Sequence, residues 1–302
     1  MPEPKLAVRD AGDSLIVTAG DVEIAHYVHR PGAPAAEAPK PFLHPLRTLS
    51  GAPLSVHRPW DHRWHKGLQM TWAHLSGQNF WGGPTYSAGR GYQWEDNLGR
   101  MEHDGFTEVS ADGDRVVIEE SLRWITAQDE HWITERRRLA FHSADAGRGL
   151  WALDFATELR NVRGAPLDLG SPTTHGRPLA GYAGWFWRGP RSWTGAAILA
   201  AGGRGGEEMM GEQAPWLAMT GQHDDLDGGG TVLAFAGRSS AAVPIKWFVR
   251  SSAFAAIAPS PAFDEEIALA SGDALELAHR HVFVDRVCER AELEELGAEF
   301  AL

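Results

Sequence analysis

The residue types best suited to chemistry are concentrated in one short segment of the chain, residues 57–67. This segment contains three histidines, one aspartate and three cationic side chains, interleaved with Trp60 and Trp64. A neutral imidazole accepts a proton or binds a metal, and an imidazolium donates a proton. The segment therefore predicts acid–base chemistry, with Asp61 orienting one of the imidazole rings.

His62 and His65 are three residues apart within this segment. Residues at this spacing share a face of a helix, whereas on a strand they point to opposite sides. The spacing is a weak signal for a metal, so we expect no metal and no cofactor. Two alternatives stay open: a metal-dependent hydrolase or lyase that uses His57, His62 or His65 with Asp61, and a polar loop whose histidines are merely hydrogen-bonded.

A second candidate group follows the apolar segment 151–159. His175 lies among small and turn-forming residues, which favours an exposed imidazole at the end of a strand. Arg177 is in the same loop, and Arg188 and Arg250 end apolar segments. Arginines in such places bind carboxylate or hydroxyl oxygens of a ligand, although they serve as often as partners of acidic side chains.

Further candidates are scattered along the chain. His103 follows the tryptophan-rich region, and we expect it to contact substrate. Glu135 lies in an alternating segment, where it shares one face with Arg137, opposite to Arg136 and Arg138. We take Glu135 as a candidate catalytic base beside the histidines.

The chain has 13 tryptophans but only 4 tyrosines. Eight of the tryptophans form two groups: Trp60, Trp64, Trp72, Trp81 and Trp94, and then Trp185, Trp187 and Trp193. Such residues commonly pack in a core, but an indole face also matches the apolar C–H face of a pyranose ring. Because the first group lies among histidines and arginines, we expect Trp64, Trp72 and Trp81 to stack on a sugar.

The elements that must position these residues show a period of two rather than 3.6. Strands are predicted at residues 15–18, 22–28, 116–124, 131–141, 151–159, 231–236, 245–250, 254–258 and 274–284, with turn residues between them. One helix is predicted at residues 286–300, and long loops at 30–41 and 200–215. The pattern indicates an all-β protein, a large antiparallel β-sandwich with a short C-terminal helix, as a single domain over residues 1–302.

Composition limits the function classes further. The 302 residues carry a net charge of −12, which disfavours nucleic acid as a partner. The single cysteine rules out an internal disulfide framework, and no apolar run is long enough to span a membrane. The N-terminus lacks a signal-peptide pattern, so we expect a cytoplasmic protein with a small-molecule carbohydrate as its partner. The aromatic surplus is also compatible with a homodimer interface.

Several motifs resemble a bacterial family known as "methane oxygenase PmoA-like". The matching segments are residues 41–46, 50–53, 61–67, 79–81, 214–216 and 247–250. The family name is misleading, because a methane monooxygenase subunit of that kind is a membrane protein and this chain has no spanning run. Members of the family look like partners of sugar-oxidoreductase catabolism.

A more distant resemblance is to galactose mutarotase-like proteins. An early histidine-rich loop ends in glycine, residues 159–161 read Leu-x-Asn, and a Thr-x-His loop ends at His175. The resemblance implies a β-supersandwich in which His65 (or His62) and His175 do acid–base work on the sugar. The late glutamate of those enzymes has no match in residues 254–258, so we expect Glu135 or Asp264 to supply a base.

Taken together, these patterns predict a carbohydrate-active enzyme that transfers protons on a sugar or an oxidised (keto) sugar. The reaction would be an epimerisation, an isomerisation or an elimination. The expected catalytic residues are His62, His65, His175 and Glu135, and the expected substrate contacts are Asp61, Trp64, Trp72, Trp81, His103, Arg177, Arg188 and Arg250. A non-catalytic sugar-binding protein is the alternative from another functional class.

Overall fold

Alternating apolar and polar residues form two large antiparallel sheets in the computed structural model, which describes residues 3–224 and 226–302. In chain order the strands are β1 (Leu6–Asp10), β2 (Ser14–Ala19), β3 (Val22–Val28), β4 (Phe42–Leu46), β5 (Leu68–Trp72), β6 (His74–Leu75), β7 (Thr85–Ser87), β8 (Gly91–Gln93), β9 (Arg100–Ala111), β10 (Val116–Ile125), β11 (His131–Asp145), β12 (Leu150–Asn161), β13 (Leu167–Gly170), β14 (Ala183–Arg188), β15 (Ala197–Ala200), β16 (Trp216–Gln222), β17 (Gly229–Ser239), β18 (Lys246–Arg250), β19 (Ala256–Ser260), β20 (Ile267–Leu269) and β21 (Ala274–Val284). The single α-helix, α1, spans Arg290–Glu299 in the described residues.

The first sheet has the order β1-β2-β3-β4-β5-β14-β19-β18, and the second has the order β15-β16-β17-β21-β12-β11-β10-β9. Their facing sides bury one continuous apolar core that includes Val17, Trp124, Leu139 and Trp185. A small sheet, β20-β13-β6, and the hairpin β7-β8 lie outside the two large sheets. The predicted all-β sandwich with a C-terminal helix is confirmed.

The strands β14 and β18 are apolar on both faces, and this property creates the site described below. In β14, Trp185 and Trp187 belong to the core between the sheets, whereas Phe186 belongs to a separate apolar cluster. In β18, Trp247 and Phe248 divide in the same way, as successive side chains of a strand must. The outer cluster is covered by loops and by the ends of the small elements rather than by a third large sheet.

The observed elements differ from the predicted ones at the start of the helix and in several strands that the sequence did not predict, among them β1, β4, β5, β9, β14 and β16. The helix begins at Arg290 rather than at residue 286, because the Thr231 hydroxyl donates to the Arg286 carbonyl and accepts from the Cys288 amide, which holds this segment extended. The strand β9 was not predicted at all. It is an edge strand with many exposed side chains, so it lacks the alternation that marks a half-buried strand.

The structure also corrects one candidate sugar contact. Trp72 ends β5 and is fully buried in the core between the two large sheets. Its side chain points to the opposite side of the sheet from the outer cluster that contains Ala73. The indole therefore stabilises the sandwich and does not stack on a ligand. No helix in residues 3–224 and 226–302 is long and apolar enough to cross a membrane.

The helix provides a test of the packing, since Gly297 lies against the indole of Trp216. A Cβ added at residue 297 would come within 2.7 Å of Trp216 Cδ1. On an exposed helix Gly→Ala adds about 0.5–1 kcal/mol of stability, but this clash should make Gly297→Ala destabilising by about 1–3 kcal/mol in urea unfolding. The exposed neighbour Ala298 is the control, and Ala298→Gly should cost no more than about 1 kcal/mol. A stabilised Gly297→Ala protein would contradict the packing described here.

Candidate functional site

A cavity of about 290 Å³ lies on the outer side of the first sheet, above β14 and β18. This volume is near the lower end of the range for small-molecule sites, roughly 300–1,000 Å³. Aromatic side chains form most of its wall, and a few polar groups are set among them. The lining residues that matter below are His62, Trp64, His65, His74, Trp81, Tyr92, Arg177, Tyr182, Phe186, Phe248 and Phe254.

The histidine-rich segment reaches the cavity as a series of turns, which is neither of the two conformations considered from the sequence. The His62 amide donates to the Pro59 carbonyl at 3.0 Å, and the His65 amide donates to the His62 carbonyl at 3.0 Å. Gly67 has a φ of 69° and touches β4 so closely that any Cβ would run into the Leu43 carbonyl. As a result the rings of His62 and His65 stack, with centroids 4.7 Å apart and planes 19° from parallel.

His65 is a buried, neutral hydrogen-bond donor. Its Nδ1 lies 2.8 Å from Nη1 of Arg188. A guanidinium only donates, so Nδ1 accepts and the ring proton resides on Nε2. Burial holds the pKa of His65 well below its usual range, and the nearby charges of His62 and Arg188 act in the same direction. The ring therefore stays neutral and presents an N–H rather than a positive charge.

His62 has the opposite arrangement. Its Nδ1 lies 3.1 Å from Oδ2 of Asp61, close enough for charge attraction, although the angle is outside that of a hydrogen bond. The nearby carboxylate favours a proton on Nδ1, which leaves Nε2 as the basic nitrogen. Burial lowers the pKa of His62 from its usual value, and Asp61 only partly opposes this shift. Burial also acts to raise the pKa of Asp61, but His62 and Arg188 lower it overall, so this carboxylate stays ionised.

Arg188 supports His62 and His65 from behind the cavity wall. It ends β14, as the sequence predicts, and its side chain is buried with the guanidinium carbon 3.8 Å from the centre of the Phe254 ring. Its Nη2 lies 3.5 Å from Asp61, which Arg191 also contacts. Asp61 and Arg188 therefore fix the two imidazoles and are not themselves part of the cavity lining.

His175 reaches the cavity only through a second imidazole that the sequence analysis did not identify. It follows β13 and is half-exposed, with Nδ1 3.1 Å from the Ser171 carbonyl and 3.0 Å from Oγ1 of Thr174. Its ring stacks on His74 with centroids 3.9 Å apart. His74 lines the cavity, and its buried Nε2 has no hydrogen-bond partner among the described residues. Burial, together with the charge of His175, lowers the pKa of His74 to about 3.

Two of the predicted tryptophans lie in the cavity wall. Trp64 rests on the backbone of Gly82 and Gly83, where a Cβ at residue 83 would come within 2.6 Å of the indole. Trp81 is almost fully buried and stacks on Tyr182, with centroids 4.9 Å apart and planes 21° from parallel. The expectation that Trp64 and Trp81 accompany His62 and His65 in one site agrees with this geometry.

Arg177 also lines the cavity, as part of the loop that carries His175. Its Nη1 donates to the hydroxyls of Tyr182, at 2.6 Å, and of Tyr92. Its guanidinium carbon lies 4.9 Å from the centre of the Tyr92 ring. The guanidinium is thus held in place by two aromatic side chains.

Three other candidate residues lie elsewhere. Glu135 is fully buried between the sheets, where both oxygens accept hydrogen bonds, from Arg137, Trp124 and Thr157. It is a structural ion-pair partner and not a base at this site.

His103 lies on the edge strand β9, with Nδ1 2.6 Å from Oε2 of Glu120 and its ring packed on His29 and Phe106. Arg250 ends β18, but its guanidinium lies beside Phe248 and does not reach the cavity wall. Neither residue is placed to touch a ligand in the cavity.

Sequence reasoning missed several lining residues for different reasons. Phe186 and Phe248 were recognisable, because each alternates with core tryptophans on a strand that is apolar on both faces. His74, Tyr182 and Phe254 come from separate elements and carry no local signal. They meet only because β6, β14 and the loop after β18 converge on one side of the sheet.

The comparisons with known proteins give a family but no activity. The model of a family described as "Family of unknown function (DUF6807)" matches residues 14–298. No curated protein matches the chain. In the described part of the chain, no three His, Cys, Asp or Glu side chains are grouped to hold a metal ion.

The structural role of Glu135 can be tested by unfolding. Removing one partner of a buried ion pair leaves the other charge uncompensated, so Glu135→Ala should lower the free energy of unfolding by about 3–5 kcal/mol. The matched control is Arg136→Ala, on the exposed face of the same strand, where the nearest carboxylate oxygen is 3.7 Å away on Glu158. This change should cost less than about 1 kcal/mol. Equal losses in the two variants would refute the assignment.

Nitrogen NMR can test the protonation state and the tautomer of His65. Because the folded-state pKa of His65 is lowered, the ring should stay neutral as the pH falls from 8 to well below the ordinary histidine value of 6.5. The proton should be found on Nε2 throughout, since Arg188 donates to Nδ1. A positively charged His65 at pH 6 would contradict the proposed tautomer.

Proposed function

The chain belongs to DUF6807, a family of unknown function, and we propose that its cavity binds a carbohydrate and transfers a proton on it. The observation that carries this proposal is the stacked pair His62 and His65, 4.7 Å apart. Arg188 donates a hydrogen bond to Nδ1 of His65, and the Asp61 carboxylate lies 3.1 Å from Nδ1 of His62, so the two rings have opposite roles. A base and a neutral donor side by side are what proton abstraction next to a carbonyl requires.

The wall of the cavity supports a sugar as the ligand. Flat apolar C–H faces of a pyranose fit against indole and phenol rings, and Trp64, Trp81 and Tyr182 offer such rings beside the two histidines. Asn79 and Thr85 add polar groups to the same wall. This mixture of aromatic surface with a few fixed polar groups is typical of small-molecule sites.

The chemistry that we propose is enolisation of an oxidised (keto) or open-chain sugar. Nε2 of His62 removes the proton from the carbon next to the carbonyl, and the C–H electron pair forms a C=C bond as the carbonyl oxygen becomes an enolate. The Nε2–H of His65 donates to that oxygen and stabilises its developing charge. Asp61 stabilises the imidazolium formed on His62, as an orienting carboxylate does in other acid–base sites.

The fate of the proton decides the product. If the enolate carbon takes a proton from solvent on the face opposite to His62, the result is an epimer. If the hydroxyl on that carbon loses its proton to become the new carbonyl, the enolate oxygen is protonated and His62 delivers its proton to the former carbonyl carbon, the result is an isomer. If a leaving group on the next carbon departs from the enolate, the result is elimination. All three outcomes balance without an oxidant, a reductant or a cofactor.

A sugar-binding protein without catalysis is the second candidate. The observation that favours it is the absence of any Asp or Glu among the cavity-lining residues that the structure describes. In the mutarotase-like enzymes that the sequence resembles, a late glutamate completes the acid–base set. This candidate predicts saturable quenching of tryptophan fluorescence by a sugar without any exchange of its hydrogens.

Deuterium uptake from heavy water, followed by proton NMR, separates the two candidates. The panel contains aldoses, ketoses, uronic acids and 3-keto-glycosides. We expect solvent deuterium at the carbon next to the carbonyl of the accepted sugar. His62→Gln should slow this exchange by about 10²–10⁴-fold, the usual contribution of a general base.

The control for this experiment is His131→Gln, which changes an exposed imidazole on β11 outside the cavity and should exchange at the wild-type rate. Because His62 acts in its neutral form and burial lowers its pKa, the exchange rate should fall only on the acid side of pH 6.5. An unchanged rate in His62→Gln would remove this residue from the mechanism. Binding without exchange for every sugar would establish the second candidate.

A further inference from the structure

One positive charge at the cavity, that of Arg177, is not paired with a carboxylate in the described residues. Arg177 lies in the cavity wall, and within the described residues the hydrogen bonds of its side chain all go from Nη1 to the hydroxyls of Tyr92 and Tyr182. Among the described residues, no carboxylate pairs with it and no hydrogen bond uses its Nε or Nη2. Burial and the neighbouring Tyr182 raise the pKa of Tyr92, so its hydroxyl stays neutral and does not offset the guanidinium charge.

The residues behind the wall add positive charge. Asp61 faces two cations, Arg188 and Arg191. Glu37 touches the backbone beneath Gly82 and also faces two cations, Arg58 and Lys66. Each of these two clusters therefore holds one cation more than it holds carboxylates, although the whole chain has a net charge of −12.

We propose that the natural ligand is a sugar acid whose carboxylate binds the free Nε and Nη2 edge of Arg177. This proposal rests on the proposed function, because it assigns the class of carbohydrate that the same cavity accepts. Two parallel N–H groups of a guanidinium match the two oxygens of a carboxylate. The tyrosines Tyr92 and Tyr182 hold Nη1 of the guanidinium, so the orientation of this edge is fixed before the ligand arrives.

A carboxylate suits this wall better than a phosphate. Phosphate sites are usually built from several donors, often including the backbone amides at a helix N-terminus. The one α-helix of the described residues, α1, packs on the second sheet against Trp216, away from the cavity. The cavity itself offers one guanidinium among aromatic rings, and its volume of about 290 Å³ suits a single sugar unit.

The test compares sugar acids with their uncharged methyl esters, with the parent aldoses and with a phosphorylated sugar. Quenching of tryptophan fluorescence is titrated with glucuronate and galacturonate, with the methyl ester of each, with the parent aldoses and with glucose 6-phosphate. In the wild-type protein we expect at least one of the two acids to bind about tenfold or more tightly than its own ester, since hydrogen bonds to a charged group contribute to this extent. The preference should weaken as salt is added, because part of it is electrostatic.

Variants then assign the preference to one residue. Arg177→Met should abolish the difference between acid and ester while the ester still binds, and Arg177→Lys should retain part of it because the charge is kept. The matched control is Arg163→Met, which removes an arginine lying 4.0 Å from the Trp132 ring, outside the cavity. This control should bind like the wild-type protein.

The outcomes separate this proposal from the one on which it rests. Esters or aldoses that bind as tightly as the acids in the wild-type protein would overturn the sugar-acid proposal and leave the carbohydrate site in place. Tighter binding of glucose 6-phosphate than of either acid would overturn it in favour of a phosphorylated sugar. If no member of the panel binds, the carbohydrate proposal itself fails.

Discussion

The site depends on one constraint, the apolar character of both faces of β14 and β18. Successive side chains of a strand point to opposite sides, so tryptophans that fill the core between the sheets leave Phe186 and Phe248 on the outside. These rings must be covered, since an exposed apolar face of this size is unfavourable in water. The cover consists of loops and short strands, which cannot fill the surface as densely as a third sheet would. The cavity is the space that this cover leaves.

The polar groups at the cavity follow from the same constraint. A loop that covers an apolar surface must satisfy its own polar groups there, because an unpaired buried polar group is costly. Arg188 at the end of β14 is compensated by Asp61 and by the acceptor nitrogen of His65. Burial keeps both imidazoles neutral, and the contacts with Asp61 and Arg188 hold them in place before any ligand binds, which is the condition for effective acid–base chemistry. The interactions that hold the loop on the sheet therefore also prepare the two histidines.

Sequence patterns predicted long alternating strands such as β10, β11, β12 and β21, because alternation is local, but they missed β9 and most of the short strands. They located the hairpin at Gly20, the faces of Glu135 and Arg137, and the arginines at the ends of β14 and β18. Contacts between residues far apart in the sequence leave no such local pattern. Nothing local distinguishes Trp72 in the core from Trp64 in the cavity, and the stacking of His74 on His175 arises only where β6 meets β13. The turns that bring His62 beside His65 depend on contacts with β4 that spacing alone does not encode.

Three arginines show why the partners of a residue, and not its type, indicate its role. Arg137 lies between the sheets with its charge matched by Glu135 at 2.7 Å, as a purely structural cation should be. Arg188 contacts Asp61, which also contacts Arg191, and it donates one hydrogen bond to His65. It therefore stabilises the fold and also fixes the tautomer of His65. Arg177 has only two tyrosine hydroxyls on one of its nitrogens among the described residues, and it borders a cavity. A guanidinium held in place but not neutralised adds little to the stability of the folded chain, so its arrangement is best explained by an anion that comes from outside.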